Sequence, residues 1–85
     1  MWNVTESRQA AKEVRKLSKN IALIYRTLLE DLMREGPRPH GWDIKNLKGR
    51  TEIRIRLTRE YRVLVLIVEP DLIVVKVAHR KEIYE

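Results

Sequence analysis

Residues 47–84 read LKGRTEIRIRLTREYRVLVLIVEPDLIVVKVAHRKEIY, and the periodicity of this stretch decides the fold. Three runs in it have the pattern of adjacent antiparallel strands: residues 52–57, 61–68 and 72–78. The first alternates strictly, with Ile53, Ile55 and Leu57 on one side and Glu52, Arg54 and Arg56 on the other, which is the period of a half-buried strand. The second is apolar on both faces, as a central strand is. The third is rich in β-branched residues, which suit a pleated surface. Arg59-Glu60 and Glu69-Pro70-Asp71 supply the tight turns between them.

Following the faces across this sheet gives a sharper expectation. Ile53, Ile55 and Leu57 face the core, so Arg54 and Arg56 face out. In the second run Val63, Val65 and Ile67 share one face, while Arg62, Leu64 and Leu66 share the other. In the third, Ile73, Val75 and Val77 oppose Val74, Lys76 and Ala78, and an extended end puts Arg80 on the Lys76 side. Burying Arg62 among helices without a partner is costly. The remaining assignment places Arg54, Arg56, Arg62, Lys76 and Arg80 together on one open face, a surface suited to a polyanion.

Upstream, residues 2–5 alternate weakly and read as a short edge strand. Val14, Leu17, Ile21, Ile24, Leu28 and Leu32 recur at spacings of three and four, the apolar stripe of a helix lying on a core. Ser18 breaks this stripe as an N-cap, which predicts helices over residues 8–17 and 19–35. Gly36 fits the C-cap, and Pro37 and Pro39 stop continuation. Residues 36–48 read as one long irregular connection, pinned by Trp42, Ile44 and Leu47, and residues 78–85 as a short polar end. The expected architecture is α+β: a single domain over residues 1–85, with two N-terminal helices packed on one face of a small, mainly antiparallel twisted sheet whose open face is basic.

The chain has 18 Lys and Arg against 12 Asp and Glu, net +6, with an isoelectric point of about 10.0. Residues 45–62 hold seven basic and two acidic residues, so the basicity peaks where the sheet begins. Nucleic acid or an acidic protein is the expected partner class. There is no cysteine, no His-x-x-x-His pair, no glycine-rich phosphate loop and no serine-nucleophile motif, so neither a metal site nor a cofactor is expected. The longest apolar run, Val63 to Val68, is too short to span a bilayer, so a membrane is not expected, and a cytoplasmic location is.

Four short pieces, in this order and spacing, carry a resemblance over nearly the whole chain: Leu47-Lys48-Gly49, Arg54-Ile55-Arg56-Leu57, Tyr61-Arg62-Val63-Leu64, and His79-Arg80 followed by Tyr84. Together they resemble the RelE/ParE superfamily of toxins from type II toxin–antitoxin systems, with the RelE branch favoured. The resemblance implies a ribosome-dependent, metal-independent endoribonuclease that cleaves mRNA on the 70S ribosome and blocks translation. It also implies neutralisation by a cognate antitoxin, which would be acidic to cover a +6 toxin. The alternatives are a ParE-like inhibitor of DNA gyrase and a non-catalytic basic RNA-binding module.

Carried over residue by residue, the resemblance makes Arg56, Arg62, Arg80 and Tyr84 the catalytic candidates. Arg54 is carried over with them and, with Lys48, Arg59 and the Lys76 of the basic face, makes up the RNA-binding candidates. Guanidinium groups around a phosphate stabilise the charge that grows on its oxygens during attack by the ribose 2′-hydroxyl. The RelE branch has lysines where this chain has Arg54 and Arg56, and arginine is a poor general base. Proton abstraction then falls to Tyr84 or His79, or the mechanism is mainly electrostatic. By strand parity His79 points to the core side, where a structural role is as natural as a catalytic one. Without the resemblance, Arg54, Arg56 and Arg59 would read as a solvated strand face.

Overall fold

The computed structural model describes residues 1–47 and 51–83. Among these, the elements in chain order are β1 (Asn3–Glu6), α1 (Arg8–Arg15), α2 (Lys19–Glu35), β2 (Ile44–Asn46), β3 (Glu52–Arg56), β4 (Tyr61–Val68), β5 (Asp71–His79) and α3 (Arg80–Ile83). The sheet order is β1-β5-β4-β3-β2; β1 runs parallel to β5 and every other neighbour pair is antiparallel. Helices α1 and α2 bury Ala10, Leu28 and Leu32 against Ile53, Ile55, Val63, Val65, Leu72, Val74 and Val77 on one face of this sheet. The expected two-helix, open-sheet α+β architecture is the one observed.

Both helices start where a serine hydroxyl is available. Ser7 Oγ accepts from Ala10 N at 3.0 Å and Ser18 Oγ from Ile21 N at 3.4 Å, each satisfying an otherwise unpaired first-turn donor. One position on α2 departs from the apolar stripe: Ile24 is 38 % exposed and Tyr25, 3 % exposed, takes the core position. The phenol can be buried because Tyr25 donates its hydroxyl to Glu6 Oε2 at 2.6 Å. Burial, and then the Glu6 carboxylate, holds that phenol well above its ordinary range.

Residues 36–48 are not wholly irregular. Ile44–Asn46 forms β2, with Ile44, Lys45 and Asn46 opposite Ile55, Arg54 and Ile53. Three residues are too few to show a period, and the strand exists because the edge of β3 offers it hydrogen bonds. The loop before it is tied back to the last turns of α2. Trp42 Nε1 donates to Asp31 Oδ2 at 2.8 Å, and His40 places its backbone N–H and ring Nδ1 on Glu35 Oε1, both at 2.9 Å.

The His40 backbone N–H, then the His40 ring and Arg34, hold the Glu35 carboxyl at about 2, below its ordinary 4.5. A depressed folded value means this contribution to stability is complete above pH 4.5 and fades as pH falls toward 2. Glu35→Gln is therefore expected to lower Tm at pH 6. The gap to the unsubstituted chain should close progressively below pH 4.5; a gap independent of pH would refute this role.

Strand β5 corrects the expected face assignment. Leu64 pairs with Lys76 and Val65 pairs with Val74, so Val75 is an extra residue in a β-bulge. Leu72 and Val74 face the helices before the bulge and Val77 faces them after it, whereas Ile73 and Val75 are only half-buried. The bulge resets the alternation, so Leu72, Val74 and Val77 are all buried while Lys76 stays on the open face. β1 covers the outer edge of β5 only as far as Val74. Beyond it, Ser7 Oγ donates to the Val75 carbonyl at 3.2 Å and Glu13 Oε1 accepts from Val77 N at 2.7 Å, so α1 satisfies the exposed edge. The chain end is also more regular than expected, because β5 runs on to His79 and residues 80–83 form α3.

Candidate functional site

The open face is organised in rungs. Lys45, Arg54, Leu64 and Lys76 lie across four adjacent strands, β2 to β5, and Arg56, Arg62 and Ala78 form the neighbouring rung. Arg56 and Arg62 stand directly opposite one another. Like charges so placed repel, so the pairing lowers stability and gathers positive field at one point.

Arg62 is the anchor, only 8 % exposed. Its Nη1 donates to the carbonyl oxygens of Thr58 at 2.8 Å and of Arg59 and Tyr61 at 3.1 Å. The β3–β4 turn that presents these carbonyls is itself closed by Thr58, whose hydroxyl accepts from Tyr61 N at 3.1 Å. The guanidinium is thus held along one edge by fixed backbone dipoles, and among the described residues no carboxylate pairs with it. A cavity of about 130 Å³ opens beside it, lined by Asp43, Lys45, Arg54, Arg56 and Arg62. Asp43 is the acidic member, and its backbone carbonyl accepts from Arg56 N at 2.9 Å.

The sequence-derived candidates therefore separate. Arg54, Arg56 and Arg62 converge on one cavity. Lys76 shares the rung of Arg54, across Leu64. Arg59 is exposed in the turn, where its carbonyl serves Arg62. Arg80 is not in the lining: it opens α3, its N–H donates to the Glu60 carbonyl at 2.7 Å, and its Nε lies 4.0 Å from Glu60 Oε2. Lys48 and Tyr84 lie outside the described residues.

His79 is on the helix side, edge-on to Tyr61 with ring centroids 5.8 Å apart. Its Nε2 lies 2.9 Å from Glu60 Oε2, and its Nδ1 accepts from Lys81 N at 3.3 Å. This selects the Nε2–H tautomer and occupies both nitrogens, so the ring joins α3 to the β3–β4 turn. Sequence reasoning misses Lys45, because only its pairing with Arg54 brings it to the site. The one clue to it in the sequence is its place in the most basic segment.

Next to the cationic end, Leu64, Leu66 and Ile73 are half-buried on the open face and Val68 is exposed. Among the described residues, no cluster of three or more His, Cys, Asp or Glu is arranged to hold a metal ion, and no helix is long and apolar enough to cross a membrane.

Residues 4–84 match the family profile of the ParE toxin of type II toxin–antitoxin systems, parDE. No curated protein matches the chain significantly by sequence. Among solved structures, it is similar to the RelB–RelE antitoxin–toxin complex of Methanococcus jannaschii, with a TM-score of 0.83, 23% identity and coverage of 94% of each chain. It is also similar to the archaeal RelE–RelB complex of Pyrococcus horikoshii OT3, with a TM-score of 0.81, 21% identity and coverage of 93% of this chain and 94% of that one. The intact RelBE complex of E. coli gives a TM-score of 0.77 at 20% identity, covering 93% of this chain and 96% of that one.

Proposed function

Because this chain belongs to the ParE toxin family and is a toxin of a type II toxin–antitoxin system, we propose that its arginine-lined sheet face cleaves messenger RNA on the ribosome. The observation that carries this reading is the cavity itself: Lys45, Arg54, Arg56 and Arg62 surround a space of about 130 Å³, and neither Arg56 nor Arg62 is neutralised by a described carboxylate. Four cations from three strands around one small space suit a phosphodiester.

In the proposed reaction the ribose 2′-oxygen attacks phosphorus and the bond to the 5′-oxygen breaks. The products are a 2′,3′-cyclic phosphate and a 5′-hydroxyl. Arg56 and Arg62 stabilise the growing charge on the non-bridging oxygens. Arg54, Lys45 and Lys76 hold the flanking strand, with Arg59 at its approach. The 2′-hydroxyl proton goes to a base, for which Asp43 in the lining and Tyr84 at the chain end are the candidates, and the 5′-oxygen takes up a proton as it leaves. Arg80 adds charge from the start of α3. His79, with both nitrogens engaged, is assigned a positioning role. The antitoxin is the cognate partner of such a toxin; the ribosome and mRNA belong to this proposal.

The test is cleavage of mRNA on programmed ribosomes, with end mapping. The chain is expected to cut, and the variant lacking the true base is expected to be slower by about 10²- to 10⁴-fold, so Asp43→Asn and Tyr84→Phe identify it. A folded chain that leaves the mRNA intact at every salt concentration would overturn the reading. The ParE profile favours the second reading, inhibition of DNA gyrase, and loss of supercoiling activity on adding the chain would establish that one instead.

A further inference from the structure

The positive charge of this chain sits in two places. Residues 45–62 carry seven basic and two acidic side chains, and residues 8–19 carry Arg8, Lys12, Arg15, Lys16 and Lys19 against Glu13 alone. The rest of the chain has six basic and nine acidic residues and is net negative. The first segment builds the open sheet face. The second covers α1 and the start of α2, which pack on the opposite face of the sheet.

Glu13, the one acidic residue of this segment, turns its carboxylate to Val77 N on β5 and to the Gln9 amide and pairs with none of the five cations, which leaves the segment net positive. All five cations are exposed, and among the described residues none is ion-paired. Two of them sit where helix stability disfavours them. Arg8 and Lys19 are the first residues of α1 and α2, at the positive ends of the helix dipoles, and neither first turn contains an acidic residue to offset them.

The chemistry of this face narrows its occupant. Among the described residues the exposed large apolar ones are Met1, Leu23, Ile24, Met33 and Val68, none of them on α1. The core of a protein–protein interface is depleted of charge and built on apolar or aromatic anchors, which α1 does not offer. Single strands are held in a basic groove or cavity, commonly with aromatic platforms for the bases; the outward row of α1 is one face of a helix with no aromatic residue. What remains is a rigid row, Arg8, Lys12 and Arg15, spanning roughly 10 Å at the helical rise. Such a row matches phosphates whose spacing is already set by a duplex.

We propose that the outward face of α1, extended by Lys16 and Lys19, is a second RNA-docking surface that binds the phosphate backbone of double-helical RNA, on the side of the protein opposite the arginine cavity. The proposal stands whether or not the sheet face cleaves.

The test is the affinity, by fluorescence anisotropy, for a blunt RNA duplex of about 16 base pairs, long enough to exceed the span of the helix. Arg8→Glu/Lys19→Glu is expected to weaken duplex binding at least about tenfold and to lower the salt slope by roughly 2, one unit or slightly less per lost phosphate contact. The same variant should raise Tm by about 2–6 °C, because acidic groups replace basic ones at both helix N-termini. That combination of greater stability and lost affinity is not produced by a structural role. Lys12→Gln/Arg15→Gln should weaken duplex binding without the Tm rise. Arg54→Gln/Lys76→Gln should weaken a uridine single strand and leave the duplex bound. Unchanged duplex affinity and salt slope in both α1 variants would overturn the proposal. So would an α1 variant that loses only an acidic antitoxin peptide, because the face would then serve a protein. Duplex binding that depends on α1 in a chain that cleaves nothing would leave this surface established and the nuclease reading refuted.

Discussion

Arg62→Ala is expected to abolish RNA cleavage, with a loss of about 10²- to 10³-fold for one charge-stabilising donor in such a site. Measured against programmed ribosomes, this is the largest effect expected of any one cation in the cavity. The substitution also acts on the fold. Arg62 Nη1 bridges the carbonyls of Thr58, Arg59 and Tyr61, and removing a charged donor from such a turn costs on the order of 1–3 kcal/mol. Arg56→Ala separates the two consequences. Arg56 is exposed, faces the same cavity and stands opposite Arg62. Its removal deletes a catalytic charge and relieves a like-charge pair, so cleavage should fall while Tm holds or rises slightly. If Arg56→Ala retained full cleavage, the cavity would not be the reaction centre.

Gly36→Val is expected to cause the largest loss of stability. Gly36 closes α2 with φ 85° and ψ −158°, a region open essentially to glycine alone. A Cβ at this position would also lie 2.6 Å from Trp2 Nε1 and 2.8 Å from Trp2 Cε2. Backbone strain and the displaced indole together should cost about 2–4 kcal/mol, a fall in Tm of roughly 10–25 °C for a domain of this size. Gly41 provides the control. Its φ is 86°, but a methyl group there would meet no atom within 4 Å, so Gly41→Ala should show backbone strain alone and a clearly smaller drop. Trp2→Ala in the Gly36→Ala background should recover part of the loss, which thermal melts of the double variant would show as non-additivity.

Much of this architecture was legible locally because the signals are local. Ser18 and Gly36 delimit α2 through their own capping chemistry. The alternation of Ile53 and Ile55 with Arg54 and Arg56 reports the two faces of β3 directly, because the strand period is two. The convergence of Arg54, Arg56 and Arg62 followed from that parity across a single short turn. Parity failed at β5, where one extra residue inverts every later side chain and the sequence carries no mark of it. Leu72 and Val74, not Ile73 and Val75, reach the core for that reason.

The sequence alone determined where both long helices start, where α2 ends, the order of the long strands and the presence of a cationic sheet face, since each rests on spacing within a few residues; α1 stops at Arg15, two residues before the expected Leu17. The tertiary structure alone decided the Val75 bulge, the short strand that delivers Lys45, the exchange of Ile24 for Tyr25 in the core, and the engagement of His79 and Arg80 with Glu60. Those outcomes depend on which distant partner satisfies a backbone edge, a phenol or an imidazole. That is settled only when the chain has closed on itself.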